Sequence, residues 1–217
     1  PARLRLAGQW QREGGADRIE LASADATAGG ARASLSGRAS RNAAGAPWQL
    51  KGEATLADFD PALWWRGRED SPWRRGPHKL NVRSAFELAV PAGGAGAGLD
   101  RIASLRGQAT AEVADSQLAG VPLRGQLALR GSGSEMRATV SADLDGNRLD
   151  AEGRLSGGRA GSEDRWTATL EAPALARLAP LARLAGADAA GPGLAGSLSA
   201  RLEASGRWPA AGGSWTA

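Results

Sequence analysis

The chain has no cysteine and no tyrosine, a single histidine (His78), two phenylalanines and one methionine. The lack of cysteine excludes disulfides, thiolate metal sites and a thiol nucleophile. One histidine and no cysteine remove the usual base, nucleophile and zinc-ligand sets of hydrolytic and transfer enzymes. Large apolar side chains are scarce as well. Leu (26), Val (5), Ile (2) and Phe (2) together make 35 of 217 residues, about 16% and below the ordinary globular share. Ala at 47 positions and Gly at 31 take their place. Each buries little apolar area, so a jigsaw-packed compact core is excluded and a thin, elongated fold or disorder is left.

Charge of one sign is also missing. Twenty-seven basic against 23 acidic residues give +4, too little for the dense basic footprint of a nucleic-acid binder. No apolar run approaches the ~18 residues of a membrane span, and no signal-peptide pattern opens the chain. The start at Pro1 and the stop at Trp215-Thr216-Ala217 read as an internal piece of a longer protein. No cofactor motif is found: the glycines sit inside alternating segments, not between a strand and a helix. The chain is expected to be a non-enzyme.

What is present is alternation. Leu80, Val82, Ser84, Phe86, Leu88 and Val90 are separated by Asn81, Arg83, Ala85, Glu87 and Ala89. Val121, Leu123, Leu127 and Leu129 alternate in the same way, as do Met136, Val140 and Leu144, Leu149 and Leu155, and Leu198 and Leu202. Period two puts one set on one face of a strand, and one apolar face per strand belongs to antiparallel sheets wet on the other side. Disorder is thereby excluded in favour of strands.

Inside these strands a motif recurs, apolar-any-Gly-polar-apolar. It reads Leu6 to Trp10 about Gly8, Leu35 to Ala39 about Gly37, and Leu50 to Ala54 about Gly52. Further copies centre on Gly107, Gly125, Gly153 and Gly206. Each Gly falls on the apolar face, which calls for sheet curvature, close backbone approach or contact with a ligand, with curvature the more general use. The irregular spacing of the copies predicts a meander of unequal strands, not a fixed-period solenoid. The fold class is therefore all-β: one elongated, curved antiparallel sheet forming an open trough across 1–217. Gly-rich loops are expected near 91–98 and 157–161, and a short Leu/Ala-rich helix over 173–186, opened by Pro173 and interrupted by Pro180. That helix reads as a plug docked on the sheet.

Asp143-Leu144-Asp145-Gly146-Asn147 has some flavour of a calcium loop but lacks the bidentate Glu, and a hairpin turn is the better reading. No metal site is expected. The stretch Phe59 to Arg75 places Trp64, Trp65 and Trp73 among four arginines. It reads first as a loop capping the open end of a thin core, with Arg stacked on Trp. A lipid headgroup contact or a nucleobase platform are the functional alternatives.

Three of these segments also resemble a known family. They are Leu144-Asp145-Gly146-Asn147 through Leu155, Trp166 through Leu178, and Gly193 through Pro209, joined by Phe59 to Trp65 and Pro77 to Asn81. Their order is similar to that of TamB-like proteins of the AsmA-like superfamily, over residues 50 to 210. The resemblance implies a periplasmic segment of an inner-membrane-anchored protein, with the anchor outside this chain. It implies a β-taco trough, carriage of phospholipid between the membranes, support of outer-membrane protein assembly and an Omp85-type barrel partner (TamA-like).

The alternation itself points the same way, since a long apolar face with few large residues marks a binding surface for acyl chains. The groove candidates are Leu80, Val82, Phe86, Leu88, Val121, Leu123, Leu127, Leu129, Val140, Leu144, Leu149, Leu155, Leu198 and Leu202. Two alternatives stand beside it. The same residues would form a dry sandwich core if opposing faces closed. A non-lipid scaffold would bind nascent outer-membrane proteins by β-augmentation.

Overall fold

The computed structural model describes residues 2–65, 67–92, 102–156, 163–184, 194–206 and 215–216. They form one open antiparallel sheet, as the alternation predicts. Its strands are β1 (Arg3–Glu13), β2 (Ala16–Ala28), β3 (Ala31–Arg41), β4 (Trp48–Phe59), β5 (Leu80–Val90) and β6 (Arg106–Leu118). They continue as β7 (Val121–Ser132), β8 (Met136–Leu144), β9 (Asn147–Leu155), β10 (Asp164–Ala172), β11 (Leu198–Gly206) and the two-residue β12 (Trp215–Thr216). Spatial order equals chain order throughout, so every connection is local. Of the Gly-rich loops expected near 91–98 and 157–161, residues 93–98 and 157–161 lie outside the described residues.

No second sheet packs on the first among the described residues, so the sandwich alternative is overturned. The reason is in the side chains. The buried apolar residues are Ala31, Ala103, Val121, Met136, Ala138 and Ala172, with no Leu, Phe or Trp among them. Backbone pairing, not a core, holds this sheet.

The recurrent glycines act in two ways. At Gly107 (φ +114) a Cβ would strike the Glu87 carbonyl of the neighbouring strand, and at Gly125 it would lie 2.8 Å from the Ser141 carbonyl oxygen. Backbones close in on the apolar face where no side chain stands between them. At Gly153 the space is filled instead by an aromatic from the next strand, Trp166, and at Gly52 both occur, the Ser36 carbonyl on one side and Phe86 on the other. An aromatic laid across a strand glycine restores the apolar burial that glycine lacks. Curvature and covering together account for the motif.

Two bulges bend the sheet on either side of β5. Pairing slips between Leu56 and Phe59 in β4 and between Val113 and Ser116 in β6. Asn81 joins them: its side-chain oxygen accepts from the Asp58 amide (2.9 Å) and its NH2 donates to the Asp115 carbonyl (2.8 Å). The Ser116 hydroxyl also accepts from the Asn81 amide at 2.8 Å. Bulges bend and locally twist a sheet, and here they do so beside the long β4–β5 connection.

That connection holds two 3-10 turns, Pro61–Leu63 and Pro72–Arg74. The predicted helix is a 3-10 turn at Leu175–Leu178 followed by α1 (Ala179–Leu184); residues 185 and 186 lie outside the described ones. Asp60 and Ser71 cap the first two turns by accepting from the Ala62 and Trp73 amides. The helix reaches the Pro72–Arg74 turn, so the two insertions meet at one end of the strands and form a cap there. Leu178, Leu181 and Leu184 are half-buried, consistent with a docked rather than a free helix.

Candidate functional site

Register shows how far the apolar face runs. One row reads Gly8, Leu21, Gly37, Gly52, Phe86, Ala109, Leu129, Ala138, Gly153, Trp166 and Ala204, each opposite the next. The adjacent row runs from Leu6 in β1 to Leu202 in β11 and contains Leu127 directly opposite Val140. A third runs from Leu4 through Val82, Val113, Leu149 and Leu170, and a fourth from Trp10 through Leu50, Leu88 and Met136 to Leu155. Ten interstrand steps give a strip ~48 Å long, and four rows make it ~20 Å wide. A footprint of ~1,000 Å² is above the few hundred that a monomer ordinarily exposes.

All fourteen groove candidates lie on this face. Leu80, Val82, Phe86 and Leu88 come from β5, and Leu123, Leu127 and Leu129 from β7, with Val140 and Leu144 from β8 and Leu149 and Leu155 from β9. These are half-buried. Val121 is an exception, 4% exposed at the start of β7, and serves packing there. Leu198 and Leu202 in β11 stand 42% and 53% exposed.

The sequence reading omitted the first four strands. Leu4, Leu6 and Trp10 in β1 are each 66% exposed on the same face, and Leu21, Leu35, Leu50 and Leu56 extend it. Their alternation was visible, for instance Leu4 and Leu6 between Arg3, Arg5 and Ala7. Trp166 and Leu170 of β10 were omitted as well.

The face is closed at one corner by charge. Asp17, at 3% exposure, receives hydrogen bonds from Trp10 Nε1 (3.2 Å), Arg12 Nε (2.8 Å) and Arg41 Nε (2.6 Å). Arg41 also lies 4.9 Å over the Trp48 ring, a cation–π contact. Arg12 chiefly, with Arg41 and Trp10, holds the Asp17 carboxyl well below the usual carboxylate range, although burial opposes them. The corner is therefore ionised and fixed.

Comparison with protein-family models, curated proteins and solved structures finds no match. The site must be read from its own geometry.

The opposite face is of another kind. A shallow depression of about 780 Å³ runs across β4 to β11 between a row from Glu53 to Thr167 and a row from Thr55 to Arg201. Its walls are hydroxyls and alternating charges, and its floor is backbone. Water serves such a surface well, and nothing in it gathers a reacting set. The Asp143–Asn147 segment is the hairpin turn expected: Asp145 and Gly146 have φ +53 and +81, and the Asp143 carboxylate accepts from the Gly146 amide at 3.0 Å. Asn147, 0% exposed, donates to the Leu144 carbonyl and accepts from the Ala174 amide, tying the helical cap to this turn.

The cap end is aromatic. Phe59, opposite Leu80, stacks on Trp64 at 6.3 Å, Trp65 on Trp73 at 5.6 Å, and Trp73 on His78 at 6.2 Å. His78 Nδ1 accepts from the Ala119 amide at 3.0 Å, while Nε2 lies 3.2 Å from the Trp73 carbonyl. The proton therefore belongs on Nε2. The sequence leads one to expect Arg on the Trp rings of this stretch, and among the described residues no arginine of it lies over them; the rings stack on one another, and Arg74 donates to the Trp65 carbonyl at 3.2 Å.

Proposed function

We propose that this chain is a lipid-carrying trough segment, in which acyl chains of phospholipids lie along the apolar face. The observation that carries this reading is the uninterrupted apolar strip across eleven strands, with no second layer over it among the described residues. Burial of acyl chains is worth ~0.8 kcal/mol per CH2 without directional contacts. That suits a surface of Ala, Gly, Leu and Val in whose rows the one hydroxyl, Ser84, donates to the Ala54 carbonyl. Rows that continue from strand to strand without a pocket wall favour sliding over fixed binding.

The wider setting belongs to the same proposal. The chain serves as a periplasmic segment of an inner-membrane-anchored, TamB-like protein that reaches toward an Omp85-type barrel partner and supports outer-membrane protein assembly. Catalysis has no part in it.

The test is mass spectrometry of the organic extract of the purified chain, beside a sandwich-fold β-protein handled identically. Phospholipid near one or more molecules per chain supports the trough. Lipid at the control level, from well-folded material, overturns it.

A second reading rests on β1, exposed at all eleven positions. Among the described residues no strand pairs with its outer side, and an edge so presented is a template for strand addition. The scaffold reading predicts capture of unfolded outer-membrane β-segments that a proline in β1 abolishes and a charge on the apolar face does not.

A further inference from the structure

The cap gathers two features that the rest of the chain keeps apart. The first is exposed aromatic and aliphatic surface: Leu63, Trp64 and Trp65 are 62%, 52% and 38% exposed. Their rings are already stacked on Phe59 and Trp73, so little rotamer freedom is left to lose on binding. The second is charge. The described residues of 60–79 and 175–184 hold six basic side chains (Arg68, Arg74, Arg75, Lys79, Arg177, Arg183) and three acidic ones (Asp60, Glu69, Asp70). Six minus three is +3.

Pairing sharpens the asymmetry. Arg68, Lys79 and Arg177 sit within salt-bridge distance of Asp70, Asp58 and Asp145. Arg74, Arg75 and Arg183 are exposed and have no described carboxylate within that distance. The first two occupy the Pro72–Arg74 turn and its end, and Arg183 the helix that reaches that turn. Guanidinium groups with no described carboxylate partner therefore collect where the two insertions meet, beside exposed tryptophans, Arg74 being held there by its bond to the Trp65 carbonyl.

The geometry points to the cap as a docking surface for an anionic phospholipid bilayer. Indole rings settle at the headgroup level, where one side is apolar and the other wet. Neighbouring arginines face lipid phosphates, which guanidinium binds in bidentate fashion. A nucleic acid fits less well: Leu63 offers it nothing, and three arginines without a carboxylate partner are far from a backbone-tracking groove. The path inward is continuous, because Trp64 stacks on Phe59, which lies opposite Leu80 at the end of the apolar strip. This inference deepens the lipid reading of that strip and rests on it for its purpose, but its chemistry is separate.

Flotation of the whole chain with vesicles tests it, comparing phosphatidylcholine alone with phosphatidylcholine containing phosphatidylglycerol. Binding is expected only to the mixed vesicles and to weaken with added salt. Arg75→Gln and Arg183→Gln should each reduce partitioning about fivefold, from ~1 kcal/mol per basic residue near the surface. Trp64→Ser should reduce it roughly tenfold, the worth of ~60 Å² of apolar area. All three positions are exposed, and circular dichroism checks the sheet. Equal binding to both vesicle types, or binding unchanged by these substitutions, overturns the inference. So does a concentration-dependent dimer, seen by sedimentation, that Trp64→Ser abolishes, since a second copy would then be the occupant. Leu127→Asp separates the two readings: it should float with anionic vesicles as the parent does while losing co-purified lipid.

Discussion

Trp166 lies across Gly153, its cross-strand partner, so closely that a Cβ at position 153 would fall inside the indole. The glycine is the floor on which the largest side chain of β10 rests. Gly153→Ala should therefore destabilise the sheet by about 1–3 kcal/mol, the usual cost of overpacking. Thermal unfolding followed by circular dichroism reads it directly. In a Trp166→Leu background the same substitution should cost much less, because the displaced ring is gone, and a double-mutant cycle isolates that coupling. Equal costs in both backgrounds would mean that the glycine acts through backbone conformation alone.

The apolar strip makes a prediction about lipid. Leu127 and Val140 face each other in its middle, and Gln126 is their neighbour on the opposite face. An unpaired carboxylate buried beneath an acyl chain costs several kcal/mol. Leu127→Asp should strip co-purified phospholipid from the chain, and Gln126→Asp should not. Both should stay folded, because Leu127 is only half-buried and no second layer is described over it. Lipid-to-protein ratios of the three proteins, measured together, decide the matter.

Asp17 gives a dependence on pH. Its carboxyl is held well below the ordinary range, first by Arg12, then by Arg41 and Trp10. The folded chain thus keeps the carboxylate charged where the unfolded chain, with Asp near ~3.9, already takes up a proton. The stabilisation is fully present above that unfolded value and is lost as pH falls further. Asp17→Asn should lower the melting temperature at neutral pH. The gap between variant and parent should narrow on acidification below about pH 4.

The plan of the sheet was legible because alternation is a local signal: each strand of the meander carries its own two-residue period, and neighbours in sequence are neighbours in space. Leu127 and Val140 were assigned to one face from their own strands, and the register agrees. What could not be read was whatever depends on the partner strand. The two uses of glycine, Gly107 against a backbone carbonyl and Gly153 beneath Trp166, share one motif and differ only in what stands opposite. The bridging of two bulges by Asn81, and of the helical cap to the Asp145 turn by Asn147, likewise depends on residues distant in sequence. Leu4, Leu6 and Trp10 carry the same local signal as Leu127, and the register places them on the same face, so that part of the strip was legible as well.

His78 anchors the cap to the β6–β7 hairpin, and its removal should loosen the loop without dissolving the sheet. The ring stacks on Trp73 and accepts from the Ala119 amide, while the Gly120 amide donates to the Pro77 carbonyl at 2.8 Å and Lys79 pairs with Gln117 on both sides. His78→Ala leaves the Ala119 N–H without its acceptor, at a cost of about 1–3 kcal/mol. The three backbone bonds beside it remain, so the loss should show as local opening more than as global unfolding. Limited trypsin digestion reads this at Arg74 and Arg75, both exposed in the turn that the Trp73–His78 stack holds down. Cleavage there should speed up in the variant while cleavage at Arg130, in the middle of the sheet, stays slow. Acceleration at both places would mean that His78 supports the whole sheet and not the cap alone.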